Sequence, residues 1–435
     1  MFLMTDLVSG QVPASLATSE WESLVMDSLH GNLHVAQRTS PPRRIRLGNE
    51  NIPAIYEACG RARLAVVANQ TSVIGDGHGE ARVHLVDTLL ALGMNVKKVF
   101  APEHGFRGLA HNGAHIDDSV DLATGLPILS LHGEHKKPTP ESLEDVRVIL
   151  FDIQDVGARF YTYLSSLFLV MQAAAEQDKL VVVLDRPNPH GHQIAGPGLA
   201  PEWTSYVGQV PVPVLHGMTL GEIAGMINGE GWLGDGLQCD LLVVPCEGYA
   251  HSDAWYPQNA PSPNLPTPES IALYPSLCPF EPTVVSVGRG TPAPFECIGM
   301  PSPNFGSFMF TPVPIEGAAP HPKHEGVACT GQNLHSLGQE WTTSNGGFDW
   351  SFLPAYCDQW KLHQPDEPFI TSPDFLNKLA GHEALQHVLN ESSDFERYVS
   401  TWIADLRSFE AQRAPYLLYP VQRPVQRPVQ RMKPE

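Results

Sequence analysis

The sequence predicts an α/β protein: a Rossmann-like parallel sheet forms the N-terminal domain, and a smaller α+β domain follows it. Two observations favour this class. Short apolar runs rich in β-branched residues alternate with segments of helical spacing through the first half of the chain. These runs are apolar nearly throughout, which is typical of parallel strands whose sheet is covered on both faces.

Each expected element rests on its own stretch of sequence. Helical spacing fills 83–92, and a long apolar helix is expected over 161–175. Pro-rich loops dominate from about 250 to 325, and two further helices are expected over 373–390 and 394–411. The apolar runs that predict strands are 64–68, 96–101, 126–131, 146–151, 180–184 and 241–245.

The change of pattern near residue 250 predicts a domain boundary. We expect an N-terminal extension over 1–46, a Rossmann-like catalytic domain over 47–250, and a C-terminal domain over 251–420 that closes a cleft. The last stretch, 421–435, repeats Val-Gln-Arg-Pro. Proline at every fourth position blocks both helix and sheet, so this stretch is expected to be a disordered basic tail.

Composition excludes several classes of function. The chain has 435 residues, with 27 Lys and Arg against 47 Asp and Glu, and a formal net charge of −20. Such acidity repels phosphate backbones and argues against a nucleic-acid partner. No uninterrupted apolar run reaches the ~18 residues of a membrane span. The seven cysteines form no CxxC pair, which argues against a zinc ribbon and a disulfide framework.

The first residues carry no recognisable export sequence. The first basic residue is Arg38, and nothing before it forms an apolar h-region. We therefore expect a cytoplasmic protein, or a periplasmic or extracellular one if the start codon is mis-assigned.

Common cofactor and nucleophile motifs are absent from the expected places. The first strand is followed by NQTS rather than GxGxxG, and no P-loop occurs, so no nucleotide cofactor is expected. His111 and His115, and His132 and His135, lie in glycine-containing loops without an HExxH motif, so no metal is expected. No GxSxG elbow presents a serine nucleophile.

Polar segments follow five of the predicted strands. Because the carboxyl ends of parallel strands meet at one edge of a sheet, these segments are expected to converge on one site. Helix caps and solvated turns explain one or two such segments but explain five poorly. The segments are NQTS at 69–72, PEHGFRG at 102–108, HGEH at 132–135, DIQDVGAR at 152–159 and DRPNP at 185–189.

The residue types in these segments favour acid–base chemistry. Paired carboxylates suit proton transfer, most familiarly on glycosidic bonds. Arginines among them either hold an anionic substrate group or neutralise the carboxylates as structural ion pairs, and the sequence leaves both open. The candidate carboxylates are Glu103, Asp152, Asp155 and Asp185, and the arginines are Arg107, Arg159 and Arg186.

In these loops the sequence resembles the exo-β-N-acetylmuramidase family typified by NamZ. The match runs from about Gly48 to Tyr419 and rests on motifs in a fixed order. The resemblance implies a Rossmann-like domain, a smaller C-terminal domain, a cleft between them, and release of N-acetylmuramic acid from non-reducing ends of peptidoglycan fragments. The motifs are ANQTS, APEHGFRG, DIQDVGARFYTY, DRPNP, HGMTLGE, PSPNLPT and SVGRGT with PFE.

The resemblance also suggests roles for single residues. Glu103 is expected to be the acid/base, with the adjacent His104 and a neighbouring acidic residue raising its pKa. Asp152 or Asp155 would be the second carboxylate: a base, a nucleophile, or an orienter of the substrate acetamido group, which can itself be the nucleophile. The expected saccharide-binding residues are Asn69, His104, Arg107, Gln154, Arg159, Tyr161, Asp185, Arg186 and Asn188, with Asn264 and Arg289 closing the cleft from the second domain.

Two departures from the family pattern leave the specificity open. His190 stands where relatives read a second Asn in DRPNPNG, and 280–284 reads FEPTV where relatives read FEGTN. A glycosidase for another acetamido sugar or for an acyl-sugar is one alternative, and a non-catalytic saccharide-binding protein is another. A cytoplasmic enzyme would act on imported muropeptides in bacterial cell-wall recycling.

Overall fold

A seven-stranded, mostly parallel sheet lies at the centre of the computed structural model, which describes residues 44–75, 82–103, 105–107, 119–133, 135–302 and 305–422. A short hairpin, β2 and β3, lies beside the sheet. The strands of this part are β1 Leu64–Ala68, β2 Val73–Ile74, β3 Val83–His84, β4 Val96–Ala101, β5 Ser119–Val120, β6 Pro127–Ser130, β7 Val148–Asp152, β8 Leu180–Leu184 and β9 Asp240–Val244.

The strand order identifies a doubly wound sheet. It runs β5-β6-β4-β1-β7-β8-β9, and every neighbouring pair is parallel except β5 with β6. The chain starts at β1 in the middle, builds outward through β4 and β6, and returns to the other side of β1 with β7. This is the Rossmann order, whose ligand crevice lies where the direction of building reverses, here between β1 and β7. The predicted fold class is confirmed.

Side-chain alternation along the central strands explains why the sheet needs a layer on each face. All five residues of β1 and of β7 are buried. Ala65 and Ile149 pack into one apolar cluster, whereas Val66 and Leu150 pack into another on the opposite face. The helices of this half are α1 Ile52–Cys59, α2 Leu85–Ala91, α3 Pro140–Leu143, α4 Tyr163–Glu176 and α5 Leu220–Gly229.

The second half combines a small antiparallel sheet with helices, as its α+β prediction stated. The strands β10 Cys297–Met300, β11 Phe308–Phe310 and β12 Cys329–Asn333 pair in the order β10-β12-β11. The helices are α6 Pro268–Leu277, α7 His335–Ser344, α8 Phe352–His363, α9 Pro373–Ala380, α10 Ala384–Glu391 and α11 Phe395–Arg413.

Two helix predictions need correction. The helix expected over 373–390 is two helices, because Gly381 has a φ of 85° and ends α9 in the left-handed region that glycine tolerates best. The helix expected over 83–92 begins at Leu85, since Val83 and His84 pair with β2 instead. The predicted strands and the helices expected over 161–175 and 394–411 are confirmed within two residues at each boundary.

The two halves share one apolar core. The cluster that includes Ala65 and Ile149 also contains Phe348 and Trp402 from the second half. The expected boundary near 250 stays a prediction. The extension over 1–46 and the tail over 421–435 fall almost wholly outside the described residues. Among the described helices, none is both long enough and apolar enough to cross a membrane.

Candidate active site

Glu103 lies half-buried just past the end of β4, at the carboxyl edge of the sheet. The hydroxyl of Thr162 donates a hydrogen bond of 3.0 Å to its carboxylate Oε2. The hydroxyl of Tyr163 donates to its backbone carbonyl at 3.2 Å. Both partners lie at the start of α4, so this helix fixes the orientation of Glu103 while leaving part of the side chain exposed.

The negative charge of Glu103 acts on four tyrosines. The ring of Tyr161 makes edge-to-face contacts with Tyr163 at 4.9 Å and with Tyr274 at 5.8 Å between centroids. Burial raises the pKa of all three hydroxyls, and the negative charge of Glu103 raises each pKa further. The same two causes raise the pKa of Tyr206 to about 12. The site therefore combines a carboxylate with aromatic surface and neutral hydroxyl donors, which suits a saccharide.

Asp155 is a buried carboxyl with little compensation. Its Oδ2 accepts a hydrogen bond of 2.6 Å from the backbone N–H of Gly157, and its Oδ1 has no partner among the described residues. Burial raises the pKa of Asp155 to about 7. Its charge also contributes to the raised pKa of Tyr161, so Asp155 and Glu103 both lie near that ring. A carboxyl that titrates near neutrality is suited to proton transfer at physiological pH.

Asp152 differs from Asp155 although it lies only three residues earlier. It is fully buried, and its two oxygens accept hydrogen bonds from Arg186 Nε at 2.7 Å and from Asn49 Nδ2 at 3.1 Å. Its negative charge is thus compensated within the protein. This geometry favours Asp155 over Asp152 as the second carboxylate of the site.

Asn69 and Gln154 hold neighbouring loops together. Asn69 Nδ2 donates to the hydroxyl of Tyr163 at 3.0 Å, which links the end of β1 to α4. Gln154 Nε2 donates to the carbonyls of Asp155 and Pro187 at 2.8 and 3.0 Å. Its Oε1 has no partner among the described residues.

All three candidate arginines are bonded within the protein, Arg186 through its pair with Asp152. Arg107 pairs with Asp87 at 2.7 Å and with Asp121 at 2.9 Å, and this pairing lowers the pKa of Asp121 to about 2. Arg159 is fully buried. Its guanidinium donates to the carbonyls of Pro197, Val212 and Leu379.

These contacts favour the structural alternative for Arg107 and Arg159. Arg159 in particular joins the two halves of the chain through Leu379. Arg186 pairs with Asp152 but leaves its Nη2 without a partner among the described residues, and Arg159 leaves its Nε without one.

Asp185 and Asn188 follow β8 and are bonded to other loops. Asp185 accepts hydrogen bonds from Thr219 Oγ1 at 2.7 Å, Gly221 N at 2.9 Å and Tyr419 OH at 2.6 Å. Burial raises its pKa to about 6. Asn188 Nδ2 donates to the carbonyl of Met218 at 2.9 Å. The structure thus places both side chains in loop-to-loop contacts.

Asn264 and Arg289, the two residues expected to close the cleft from the second half, are bonded to other residues of that half. Asn264 Nδ2 donates to the carbonyl of Ala318 at 2.8 Å, within that half. Arg289 pairs with Glu281 at 2.9 Å, and the charge of Glu281 is among the causes that raise the pKa of Tyr274. Both expected residues are thus bonded to partners within the second half. His104 lies outside the described residues.

Sequence reasoning missed four residues that bond to Glu103 or whose pKa its charge raises. Thr162 and Tyr163 stand in the RFYTY stretch beside Tyr161, and this run of aromatic and hydroxyl residues after a strand loop could have indicated them. Tyr206 and Tyr274 reach the site from distant parts of the chain. Within the described ranges, no group of three or more His, Cys, Asp or Glu is placed to hold a metal ion.

Comparison with known proteins gives consistent matches along the chain. The family models described as exo-β-N-acetylmuramidase NamZ, N-terminal and C-terminal, match residues 64–269 and 272–419. The peptidoglycan β-N-acetylmuramidase NamZ of Bacillus subtilis (strain 168) is 37% identical over 337 residues, which are 74% of this chain and 79% of that protein.

Two solved structures of DUF1343 family proteins from Bacteroides fragilis NCTC 9343 share the fold. The one at 1.30 Å resolution has a TM-score of 0.77 and 38% identity, covering 87% of this chain and 99% of its own. The one at 1.65 Å resolution has a TM-score of 0.74 and 27% identity, covering 87% and 100%.

Proposed function

The chain belongs to the exo-β-N-acetylmuramidase NamZ family, and on that premise we propose that it releases N-acetylmuramic acid from the non-reducing ends of peptidoglycan fragments. The observation that supports this proposal at the level of residues is a pair of carboxyls at the carboxyl edge of the sheet, Glu103 and Asp155, whose charges both raise the pKa of Tyr161. Two carboxyls in different environments are the usual machinery for cleaving a glycosidic bond.

Glu103 is the proposed acid/base. Its partial exposure allows contact with the glycosidic oxygen, and the hydrogen bond from Thr162 restricts its orientation. In the first step its proton passes to that oxygen as the bond from C1 to oxygen breaks. In the second step the ionised carboxylate takes a proton from the attacking water, which restores the acid.

Asp155 is the proposed partner of the substrate acetamido group. As the bond to the leaving sugar breaks, the acetamido oxygen attacks C1 and forms a cyclic intermediate, and the acetamido N–H becomes more acidic. The Oδ1 of Asp155 accepts a hydrogen bond from this N–H. Its lack of a partner among the described residues supports this role. Water then opens the ring and regenerates the acetamido group.

The test is incubation with the disaccharide MurNAc-GlcNAc beside a GlcNAc-terminated control, with the released sugar identified by mass spectrometry. We expect free N-acetylmuramic acid from the first substrate only. Glu103→Gln should lower turnover about 10²–10⁴-fold. The matched control is Glu57→Gln, the same change on an exposed residue of α1, which should leave turnover unchanged.

Other outcomes of this test would redirect the proposal. Release of GlcNAc alone would indicate a glycosidase for another acetamido sugar, and binding without release from a folded protein would indicate a saccharide-binding role. The cytoplasmic location stays a prediction, which fractionation of the native host would test.

A further inference from the structure

A cavity of about 110 Å³ lies beside the switch point of the sheet, and the proposed chemistry does not use it. Thr71, Gln154 and Arg186 line it from the loops after β1, β7 and β8, and Trp255 and Asn259 line it from the second half. Doubly wound sheets bind their ligands in this crevice. The volume suits a substituent of a few heavy atoms rather than a whole sugar.

Two residues that line this cavity each carry a buried polar atom without a partner among the described residues: Nη2 of Arg186 and Oε1 of Gln154. Their side chains are 7% and 1% exposed. The orientation of the Gln154 amide is fixed, because its Nε2 donates to two carbonyls. Buried polar atoms without partners are rare because they cost free energy. Nη2 of Arg186 calls for a ligand that presents an acceptor, whereas Oε1 of Gln154 calls for a donor such as a hydroxyl.

The charges around the cavity favour an anion. Its lining holds three arginines, Arg44, Arg82 and Arg186, and a single acidic residue, Glu50, which pairs with Arg44 at 3.1 Å. The Nε of Arg186 is engaged by Asp152, and its Nη2 is left for a second carboxylate. The remaining lining includes the apolar residues Ile45, Leu47, Val73 and Trp255. An anionic group with a small alkyl part matches both features.

The cavity and the Glu103 site are joined through adjacent residues. Gln154 lines the cavity and precedes Asp155 in the chain. Thr71 lines the cavity and donates to Asn69, which donates in turn to the Tyr163 hydroxyl that bonds to Glu103. The cavity and the Glu103 site are therefore linked through the loops after β1 and β7.

We propose that this cavity binds a small carboxylate with an adjoining alkyl group, the chemistry of the lactyl ether of N-acetylmuramic acid, and that Arg186 recognises the carboxylate. This inference rests on the proposed function and deepens it. A free small carboxylate has the same chemistry, and the experiment distinguishes the two sources.

The experiment measures binding and turnover separately. Isothermal titration with N-acetylmuramic acid, GlcNAc and D-lactate reads binding, and hydrolysis of MurNAc-GlcNAc reads KM and kcat. Arg186→Lys keeps a positive charge beside Asp152 but removes the second guanidinium donor. Because that variant disturbs a buried pair, Arg82→Glu supplies a second test: Arg82 lies in the lining and donates a hydrogen bond of 2.6 Å to the exposed Gln258. The matched control is Arg63→Glu, an exposed residue before the opposite end of β1.

We expect the wild-type protein to bind N-acetylmuramic acid at least about tenfold more tightly than GlcNAc. Each cavity variant should raise KM for MurNAc-GlcNAc about tenfold with a smaller change in kcat, because recognition of the side group is lost from ground state and transition state alike. The control should match wild type.

Three results would overturn the inference. Folded cavity variants with wild-type KM would remove the cavity from recognition while leaving the muramidase proposal intact. Equal binding of N-acetylmuramic acid and GlcNAc, with D-lactate bound in an Arg186-dependent way, would assign the cavity to a free carboxylate. Equal binding of both sugars without D-lactate binding would exclude a carboxylate site. Selective binding of N-acetylmuramic acid without turnover would instead support the cavity and contradict the proposed function.

Discussion

Two regions at the carboxyl edge of the sheet differ in whether their carboxylates have partners within the protein. Around β8, Asp152 and Asp185 receive hydrogen bonds on both carboxylate oxygens from other parts of the fold. Around Tyr161, Glu103 and Asp155 take part in no ion pair among the described residues. The first region uses charge to join loops, whereas the second leaves charge available to a ligand. Loop position alone therefore does not distinguish a candidate catalytic carboxylate from a structural one. The presence or absence of a partner that compensates its charge does.

The sharpest test of this comparison is Asp155→Asn. We expect kcat to fall about 10²–10⁴-fold, because a neutral amide accepts the hydrogen bond from the acetamido N–H more weakly than a carboxylate does. Since the pKa of Asp155 is about 7, wild-type kcat/KM should fall as the pH drops below 7, and this limb should be absent from the variant. Asp235→Asn, the same change at an exposed turn, is the control. An unchanged kcat would place the second carboxylate elsewhere.

Asp152→Ala tests the other side of the comparison. It leaves Arg186 buried without its carboxylate, and the free energy of unfolding should fall by about 3–5 kcal/mol in urea denaturation. The control Asp145→Ala removes the partner of Lys98 from a pair whose aspartate is 51% exposed, and should cost about 0–1 kcal/mol. Equal losses in both variants would show that burial of the pair does not decide its contribution.

The buried histidines extend the comparison to neutral groups. Burial, with smaller contributions from nearby charges, lowers the pKa of His192 and of His216 to about 3. In the unfolded chain these groups take up protons below about pH 6.5, so the free energy of unfolding should fall as the pH drops from 6.5 toward 3. Each group contributes about 1.4 kcal/mol per pH unit.

Urea denaturation at pH 7 and pH 5 measures this slope. His192→Leu should reduce the slope by the equivalent of about one proton taken up on unfolding. The exposed control His387→Gln should leave the slope unchanged. A slope that His192→Leu does not alter would mean that His192 is protonated in the folded protein.

The smallest expected effect concerns the single hydrogen bond to Glu103. Thr162→Val removes the hydroxyl at 3.0 Å from Oε2 and should lower kcat about two- to tenfold, the effect of about 0.5–1.5 kcal/mol. Thr162→Ser keeps the hydroxyl and should restore most of the rate. If both variants lose activity equally, the methyl group of Thr162 rather than its hydroxyl positions Glu103.

The sheet was predictable because its strands are short, apolar and local in sequence. Their period and length identify them without knowledge of any distant residue, and their parallel arrangement places the polar loops at one edge. The break at Gly381 was missed because the apolar spacing continues on both sides of it.

The use of each loop residue was harder to predict. Arg159 and Arg186 are both arginines in strand-end loops, yet Arg159 is bonded to Leu379, 220 residues away, and Arg186 to Asp152. Tyr274 on α6 likewise feels the charge of Glu103, 171 residues earlier in the chain. Such partners depend on how the two halves pack, which no local pattern of residues encodes.

The bond between Tyr419 and Asp185 has a consequence for biosynthesis. Asp185 can accept this hydrogen bond only after Tyr419, 234 residues later in the chain, has been synthesised. The loop after β8 therefore reaches its final arrangement only when nearly all of the chain has been translated, although its strand pairs are made early. A nascent chain that pauses before Tyr419 should have a formed sheet, but the loops at its carboxyl edge should not yet have their final conformation. Such a chain should be inactive and should need protection from aggregation.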